Sequence, residues 1–413
     1  STRKESSAAS DVYKRQTKQF DVAVIGAGAA GMMCASVAGQ RGKSVVLIDH
    51  AAKLAEKIRI SGGGRCNFTN IDATPQNFLS QNPHFCKSAL SRYTPQDFLA
   101  LMKRYRIAYH EKHKGQLFCD NSAEDIISML KAECALGNVS WRMPCTVAAI
   151  SKSGEQFRIE TNTGEIVANS LVIATGGLSI PKIGATDFAY RIAKQFDLKM
   201  VEPRPGLVPL TFDANAWQPF VPLSGIALPV EVETGAKKTR GYFKEDLLFT
   251  HRGLSGPAIL QISSFWQAGT PLTINLVPET DIAEALIAGK SSSKKNLGNQ
   301  LAQWLPSRLA DEWLAVNGFK ADARVADMQD KQLRKLGASL NQWSIIPNGS
   351  EGYRKAEVTL GGVDTRELSQ QTMMVNKVPG LHFIGESVDV TGWLGGYNFQ
   401  WAWASGVAAG QAV

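Results

Sequence analysis

No two cysteines in this chain have the Cys-x-x-Cys spacing of a redox dithiol or a zinc ribbon. The six, Cys34, Cys66, Cys86, Cys119, Cys134 and Cys145, are scattered, so neither a metal centre nor a local disulfide switch is expected. A secretory signal is missing, as is any apolar run near ~20 residues. These absences exclude a transmembrane helix and point to a reducing, cytoplasmic setting. No long Lys/Arg block occurs either. The formal charge of +8 is spread over scattered basic residues, so nucleic acid is not expected as a partner. The charge is assigned instead to solubility and attraction for an anionic cofactor. Finally, there is no second Gly-x-Gly-x-x-Gly in strand context, which removes the disulfide-reductase layout with its separate nicotinamide domain.

The segment Asp21 to Gly31 is present and informative. It is an apolar strand running into Gly26-x-Gly28-x-x-Gly31, followed by a helix-forming run, Met32 to Gln40, and a second apolar strand ending on Asp49. Gly26 suits the tight turn, Gly28 leaves room for a pyrophosphate, and Gly31 lets helix and strand pack closely. The helix start offers free N–H groups to phosphate, and Asp49 stands where a carboxylate meets a ribose diol. Beyond it, Lys53 to Asn70 carries three successive glycines flanked by Lys57, Arg59 and Arg65, which suits a loop lying on a flat or phosphorylated ligand.

The length of 413 residues suggests two or three domains at ~100–200 residues each. Residues 1–19 are polar and aperiodic and are read as a disordered or foreign extension. Amphipathic helices are expected over Thr94 to Tyr105 and Ser122 to Leu136, with a hairpin between them turning at Lys114-Gly115. Val139 to Ala168 reads as an antiparallel ribbon, and Ser170 to Gly177 as a buried strand ending on the pair Gly176-Gly177. From Leu207 to Pro278 short alternating strands predict an all-β barrel or sandwich. From Asp281 to Leu340 the periodicity is helical, with Trp304, Trp313 and Trp343 expected in the core. A last buried strand, Leu381 to Asp389, leads into a glycine pair and a closing helix. The fold class is therefore α/β. A discontinuous Rossmann-like domain (20–200 and 358–413) surrounds a β-rich insert (201–280, returning at 341–357) and a small helical subdomain (281–340).

Gly385-Glu386 with Asp389 resembles the ribityl-binding end strand of two-dinucleotide-fold flavoproteins. The resemblance narrows on Ile60-Ser-Gly-Gly-Gly-Arg-Cys-Asn-Phe-Thr-Asn70, Ala174-Thr-Gly-Gly177, Leu248-Phe-Thr-His-Arg-Gly-Leu-Ser-Gly-Pro257, Val358-Thr-Leu-Gly-Gly-Val363 and Gly395-Gly-Tyr-Asn-Phe-Gln-Trp-Ala-Trp403. Together these look like the BaiN/aminoacetone-oxidase-like bacterial flavoproteins, over roughly Phe20 to Gln411. The resemblance implies FAD, with Gly26, Gly28 and Gly31 at the pyrophosphate and Asp49 at the adenosine ribose. Val147 would meet the adenine through its backbone, and Lys57, Arg65, Cys66 and Asn67 would lie beside phosphates and flavin. Gly176 and Gly177 would border the cofactor. Gly385, Glu386 and Asp389 would serve the ribityl chain, and Gly396, Tyr397 and Asn398 the flavin ring. Asp49 stands where Glu is commoner, and Asp187-Phe-Ala and Thr391-Gly-Trp-Leu394 depart from the family pattern on the substrate side.

Candidate catalytic residues are His251, as acid or base, and Arg252, as an anion binder. Arg65 beside Cys66 suggests a lowered thiol pKa. The expected activity is an FAD-dependent oxidoreductase moving hydride between flavin and a small organic substrate, with NAD(P)H as a diffusible donor. Two alternatives stand beside it: an amine oxidase using oxygen, and a flavin-containing RNA-modifying protein. The RNA alternative has only a thin basic footprint, at Lys237-Lys238, Arg240 and Lys294-Lys295. A non-catalytic flavin sensor is a third possibility.

Overall fold

The computed structural model describes residues 18–291 and 295–413. Most of the expected N-terminal extension lies outside the described residues, as does Lys294, while Lys18 and Gln19 already belong to the first strand. Among the described residues seven strands form the central sheet. In chain order they are β1 (Lys18–Ile25), β2 (Val45–Ile48), β3 (Ser140–Arg142), β4 (Val147–Ser153), β5 (Gln156–Thr161), β6 (Gly164–Ile173) and β7 (Leu381–Phe383). Their spatial order is β3-β2-β1-β6-β5-β4, with β7 also on β6. β1 runs parallel to β2 and β6, and Ile25 stands beside both Ile48 and Ile173, which in turn faces Phe383. Four strands thus finish at one level. The carboxyl ends of parallel strands are where an open α/β sheet holds its ligands.

β6 corrects the reading of two strands. It is continuous, pairing antiparallel with β5 through Ala168 and parallel with β7 from Leu171. The polar Asn169 and Ser170, which looked like a break, mark only the change of partner. β3 likewise is a parallel edge strand on β2, not part of the antiparallel ribbon.

Helix α1 (Ala29–Gln40) covers the sheet, and the C-terminal helix α2 (Tyr397–Ala412) lies directly on α1. Small residues make this approach possible. A Cβ on Gly406 or Gly410 would come within 2.7 Å of the carbonyl oxygens of Ala30 and Cys34. Trp403 donates to the Phe68 carbonyl at 2.8 Å, and Trp401 to that of Gly385 at 3.0 Å. The two ends of the chain therefore share one core.

A second core lies between Leu210 and Trp343. Among the described residues its antiparallel sheet has seven strands, including Ala227–Thr234, Gly241–Phe249 and Leu272–Asn275. Helices Ile282–Gly289, Ser307–Val316 and Asp330–Asn341 contribute side chains to the same core, with Trp313 and Trp343 packed edge to face at 5.0 Å. The β-rich and helical segments are thus one packed lobe. A helix, Gly256–Ser263, also interrupts the stretch expected to be all β; Pro257 opens it, and Ala258, Ile259 and Ile262 are buried. An antiparallel ribbon of Met200–Gly206 and Val358–Val363 joins the lobes. Lys114 pairs with Glu245 across them at 2.6 Å, and Trp393 packs on Phe243 with centroids 5.1 Å apart.

One buried group makes the fold acid-sensitive. His382 on β7 is 2% exposed, its Nδ1 3.2 Å from the Gly380 carbonyl, and burial pushes its pKa from 6.5 down to about 4. The folded state keeps the ring neutral while the unfolded chain protonates, so stability falls as pH drops from about 6.5 towards 4. The loss accumulates across that window to about 3 kcal/mol and levels off only below about pH 4, where the folded state protonates as well. His382→Asn should flatten the melting temperature across that window; an unchanged slope would refute the assignment.

Candidate cofactor-binding cleft

The cleft begins at the glycine turn. Gly26 has φ +112°, and any Cβ there would overlap the backbone of Ala174 at the end of β6; a Cβ on Gly31 would overlap the Gly26 carbonyl. Gly28 differs, since a Cβ on it would meet nothing within 4 Å. Open space therefore lies before the N-terminus of α1, whose first N–H groups have no helical acceptor. Asp49 braces this turn. Its Oδ2 accepts from the Ala27 N–H at 2.7 Å and its Oδ1 from the Ala51 N–H at 2.8 Å. The Cys145 N–H donates to the Asp49 carbonyl at 2.7 Å, bringing the start of β4, and so Val147, to the same end.

Across the cleft three distant segments are stapled together. Thr359 Oγ1 accepts from the Leu178 and Ser179 N–H groups at 2.8 and 3.2 Å. Glu386 Oε1 accepts from the Thr359 N–H at 2.8 Å and from Ser179 Oγ at 2.9 Å. Lys57 donates to Ser179 Oγ at 2.7 Å and pairs with Glu386 Oε2. Gly177 is pressed against Thr359, whereas Gly176, with φ +75°, faces open space. Gly385 donates its N–H to Ser405 Oγ at 3.0 Å.

At the far end, Gly63 and Gly64 also border open space and Arg65 is exposed. Cys66 corrects an expectation. Its thiol is fully buried, and burial pushes its pKa well up, not down, because the neighbouring Arg65 side chain stays outside. All six cysteines are buried as free thiols. The folded protein at neutral pH should therefore resist iodoacetamide, with alkylation appearing only on denaturation; modification of native Cys66, read by peptide mass, would contradict its burial. The amides of Asn67 and Gln116 lie 3.3 Å apart, and Gln116 fills the space beside Gly395. Gly396 starts α2 against the Thr69 backbone, and Tyr397 packs edge-on against Phe78. Asn398 clamps Gly392, accepting from its N–H at 2.8 Å and donating to its carbonyl at 2.9 Å. Asp389 accepts from the Gln81 N–H at 2.8 Å, and burial raises its carboxyl pKa.

His251 and Arg252 occupy an exposed turn of the second lobe, where Arg252 pairs with Glu351 at 3.1 Å. Among the described residues, neither bonds to any group of the cleft named above. The staple residues Ser179 and Thr359 are not among the site residues expected from the sequence, where Ser179 only opens a loop. Thr359 had only its place in Val358-Thr-Leu-Gly-Gly-Val363 to single it out.

The donor set suits an elongated diphosphate nucleotide. Among the described residues, open space fronts Gly28, Gly63, Gly64 and Gly176, and the buried Thr175 hydroxyl beside Gly176 has no hydrogen-bond partner. The match to known proteins decides the family: the model described as HI0933-like protein Rossmann domain covers residues 20–412. The chain belongs to the HI0933-like family. It is an FAD-dependent oxidoreductase with a Rossmann-type α/β fold, and the BaiN-like motif set is accounted for. The HI0933-like chain is 50% identical to a ribosomal RNA dihydrouridine synthase of Escherichia coli (strain K12), covering 95% of this chain and 98% of that one. It is 45% identical to a protein of the same description from Haemophilus influenzae, covering 94% and 97%. Identity is 24% to a 3-dehydro-bile acid delta(4,6)-reductase of Clostridium scindens, over 95% and 98%. Among the described residues no helix is long and apolar enough to cross a membrane.

These relatives overturn the argument against a nucleic-acid partner and for a small-molecule one, since two near-full-length relatives are named for ribosomal RNA. A basic footprint need not be an unbroken Lys/Arg block. Lys103 to Lys114 carries five Lys or Arg, two His and one Glu, interleaved with Tyr105 and Tyr109.

Proposed function

We propose that this chain reduces the C5–C6 double bond of a uracil in ribosomal RNA to give dihydrouridine, with NAD(P)H as electron donor. The observation that carries this is the 50% identity, nearly end to end, to a ribosomal RNA dihydrouridine synthase. The reduction adds a hydride and a proton across a ring double bond conjugated with a carbonyl. FAD, when bound, supplies the hydride-carrying ring. The more distant relative is named a reductase, which favours reduction over oxygen-dependent amine oxidation.

In this reading the chain's own residues bind and orient. Gly28 leaves room for the diphosphate, and the start of α1 supplies its N–H donors. Asp49 and Val147 define the adenosine end. Lys57, Gly176, Gly177, Gly385, Glu386 and Asp389 form the middle wall. Arg65, Cys66, Asn67, Gly396, Tyr397 and Asn398 frame the flavin end. His251 and Arg252 belong to the substrate side. A uracil reaches the cleft only out of its stack, so the substrate is an unpaired or extruded nucleotide.

The test uses the FAD-loaded protein, an unmodified ribosomal RNA transcript and NADPH or NADH, without oxygen. Digestion and nucleoside mass analysis should show dihydrouridine dependent on enzyme and nicotinamide. Flavin bleaching by amines alone, with no dihydrouridine formed, would overturn the reading.

A further inference from the structure

Beside the cleft lies a small sheet of which the reading above uses only Asn67. Asn67–Asn70 pairs with Gln116–Cys119, which pairs with Tyr109–Glu111. Its first strand directly follows the Ser61–Gly64 turn of the cleft. Phe118 in the middle strand links the two sides, since Gly62 packs against its ring and His110 stacks on it at 6.1 Å. The outer strand and the end of helix Pro95–Arg104 therefore form the rim of the flavin end.

This rim is basic, and part of the charge is unspent. Arg104 is paired with Glu133 at 2.6 Å, Lys114 with Glu245, and His110 with Asp120 at 2.7 Å. Lys103, Arg106 and Lys112 are exposed, and among the described residues no carboxylate pairs with them. Lys112 lies over the Phe118 ring at 5.7 Å, on the His110 side of the sheet, while on the opposite face Tyr109 is 41% exposed, its ring held edge-on by Phe68 at 5.8 Å. A groove of about 690 Å³ runs here, lined by Leu99, Lys103, Arg106, Ile107 and Tyr109 among others. Two cations beside a fixed aromatic ring and an apolar floor, with a third round the edge strand, match a polyanion with exposed bases. A duplex would present its phosphates but no base face to Tyr109.

We propose that Lys103, Arg106, Tyr109 and Lys112 form the docking surface for a single-stranded segment of the RNA substrate, leading it to the cleft. The proposal rests on the RNA reading above. Lys103 and Arg106 hold the backbone and Tyr109 stacks one base, while Lys112, over the Phe118 ring, leads the adjoining phosphate round the edge strand to the face on which Gly62 of the Ser61–Gly64 turn packs.

The test measures binding of a fluorescein-labelled, uridine-rich single-stranded oligonucleotide and its duplex to the FAD-loaded protein by anisotropy. The triple variant K103E/R106E/K112E should bind the single strand about a hundredfold more weakly and lower the log–log salt slope by about 2, at ~0.7 per phosphate contact. Tyr109→Ala should lose about tenfold with the salt slope unchanged. Bound flavin and melting temperature should match wild type, showing both variants folded. A control of equal charge, K320E/K331E/K335E on the second lobe, should lose far less. Equal loss in the control, unchanged binding in the triple variant, or preference for the duplex would overturn the docking surface. Any of these results would leave the RNA reading intact if wild type still forms dihydrouridine. A wild-type protein that neither binds nor reduces RNA would sink both.

Discussion

Gly28→Val is expected to give a folded protein that purifies without flavin. The side chain costs the protein alone little, because its Cβ projects into space with no atom within 4 Å and the backbone sits at φ −90°. That same space is where the N–H groups at the start of α1 would receive a diphosphate. Losing two or three charge-assisted hydrogen bonds at ~1.5 kcal/mol or more each weakens FAD by about a hundredfold to a thousandfold. The neighbouring glycines behave differently. A Cβ on Gly26 or Gly31 overlaps backbone atoms of Ala174 or Gly26, so valine there should reduce soluble protein before any question of cofactor arises. The flavin-to-protein absorbance ratio and thermal melting of the apoproteins separate the two kinds of glycine. Gly28→Val retaining full flavin would mean that the turn is not the pyrophosphate site.

What could be read from the sequence follows from how local each cause is. Gly26, Gly28 and Gly31 fall within one six-residue turn, although the backbone that crowds Gly26 is that of Ala174, and the apolar strands on either side of α1 announce their own burial. Ser122, which accepts from the Glu124 N–H at 3.1 Å, and the turn at Lys114-Gly115 are equally local. The staple around Glu386 is not, since Ser179 lies 207 residues from it and Lys57 lies 329. No spacing rule reaches that far. Cys66 shows a second limit. A neighbouring cation in sequence was taken to lower the thiol pKa, but the chain turns at Cys66, with φ +50°, so that Arg65 faces outward and the thiol faces the core. The basic rim shows a third. Its cations come from a helix end and a hairpin, so a search for a contiguous block overlooks what the fold gathers on one edge.

Glu386→Ala should be the most damaging single change among the polar residues of the cleft. Its carboxylate receives the Thr359 N–H, the Ser179 hydroxyl and the Lys57 ammonium, and its side chain is 18% exposed. Truncation leaves a buried backbone donor without an acceptor and a cation without its partner. Removing one member of a buried pair costs about 3–5 kcal/mol. Lys57 is 36% exposed and regains some hydration, which brings the expected loss to about 2–4 kcal/mol. Glu386→Gln keeps an oxygen for Thr359 and Ser179 and loses mainly the charge, so it should cost about half as much. Ala should thus lie below Gln, and Gln below wild type, in apoprotein melting temperature. FAD affinity should follow the same order, because Lys57, Gly177 and Ser179 are held in register by this carboxylate along one wall of the cleft. Combining Glu386→Ala with Lys57→Ala separates the pair from the rest of the staple. If the ion pair dominates, the double variant should recover part of the loss; if the orphaned Thr359 N–H dominates, it should not. A Glu386→Ala protein that melts and binds FAD like wild type would show that the three segments are held by backbone packing alone.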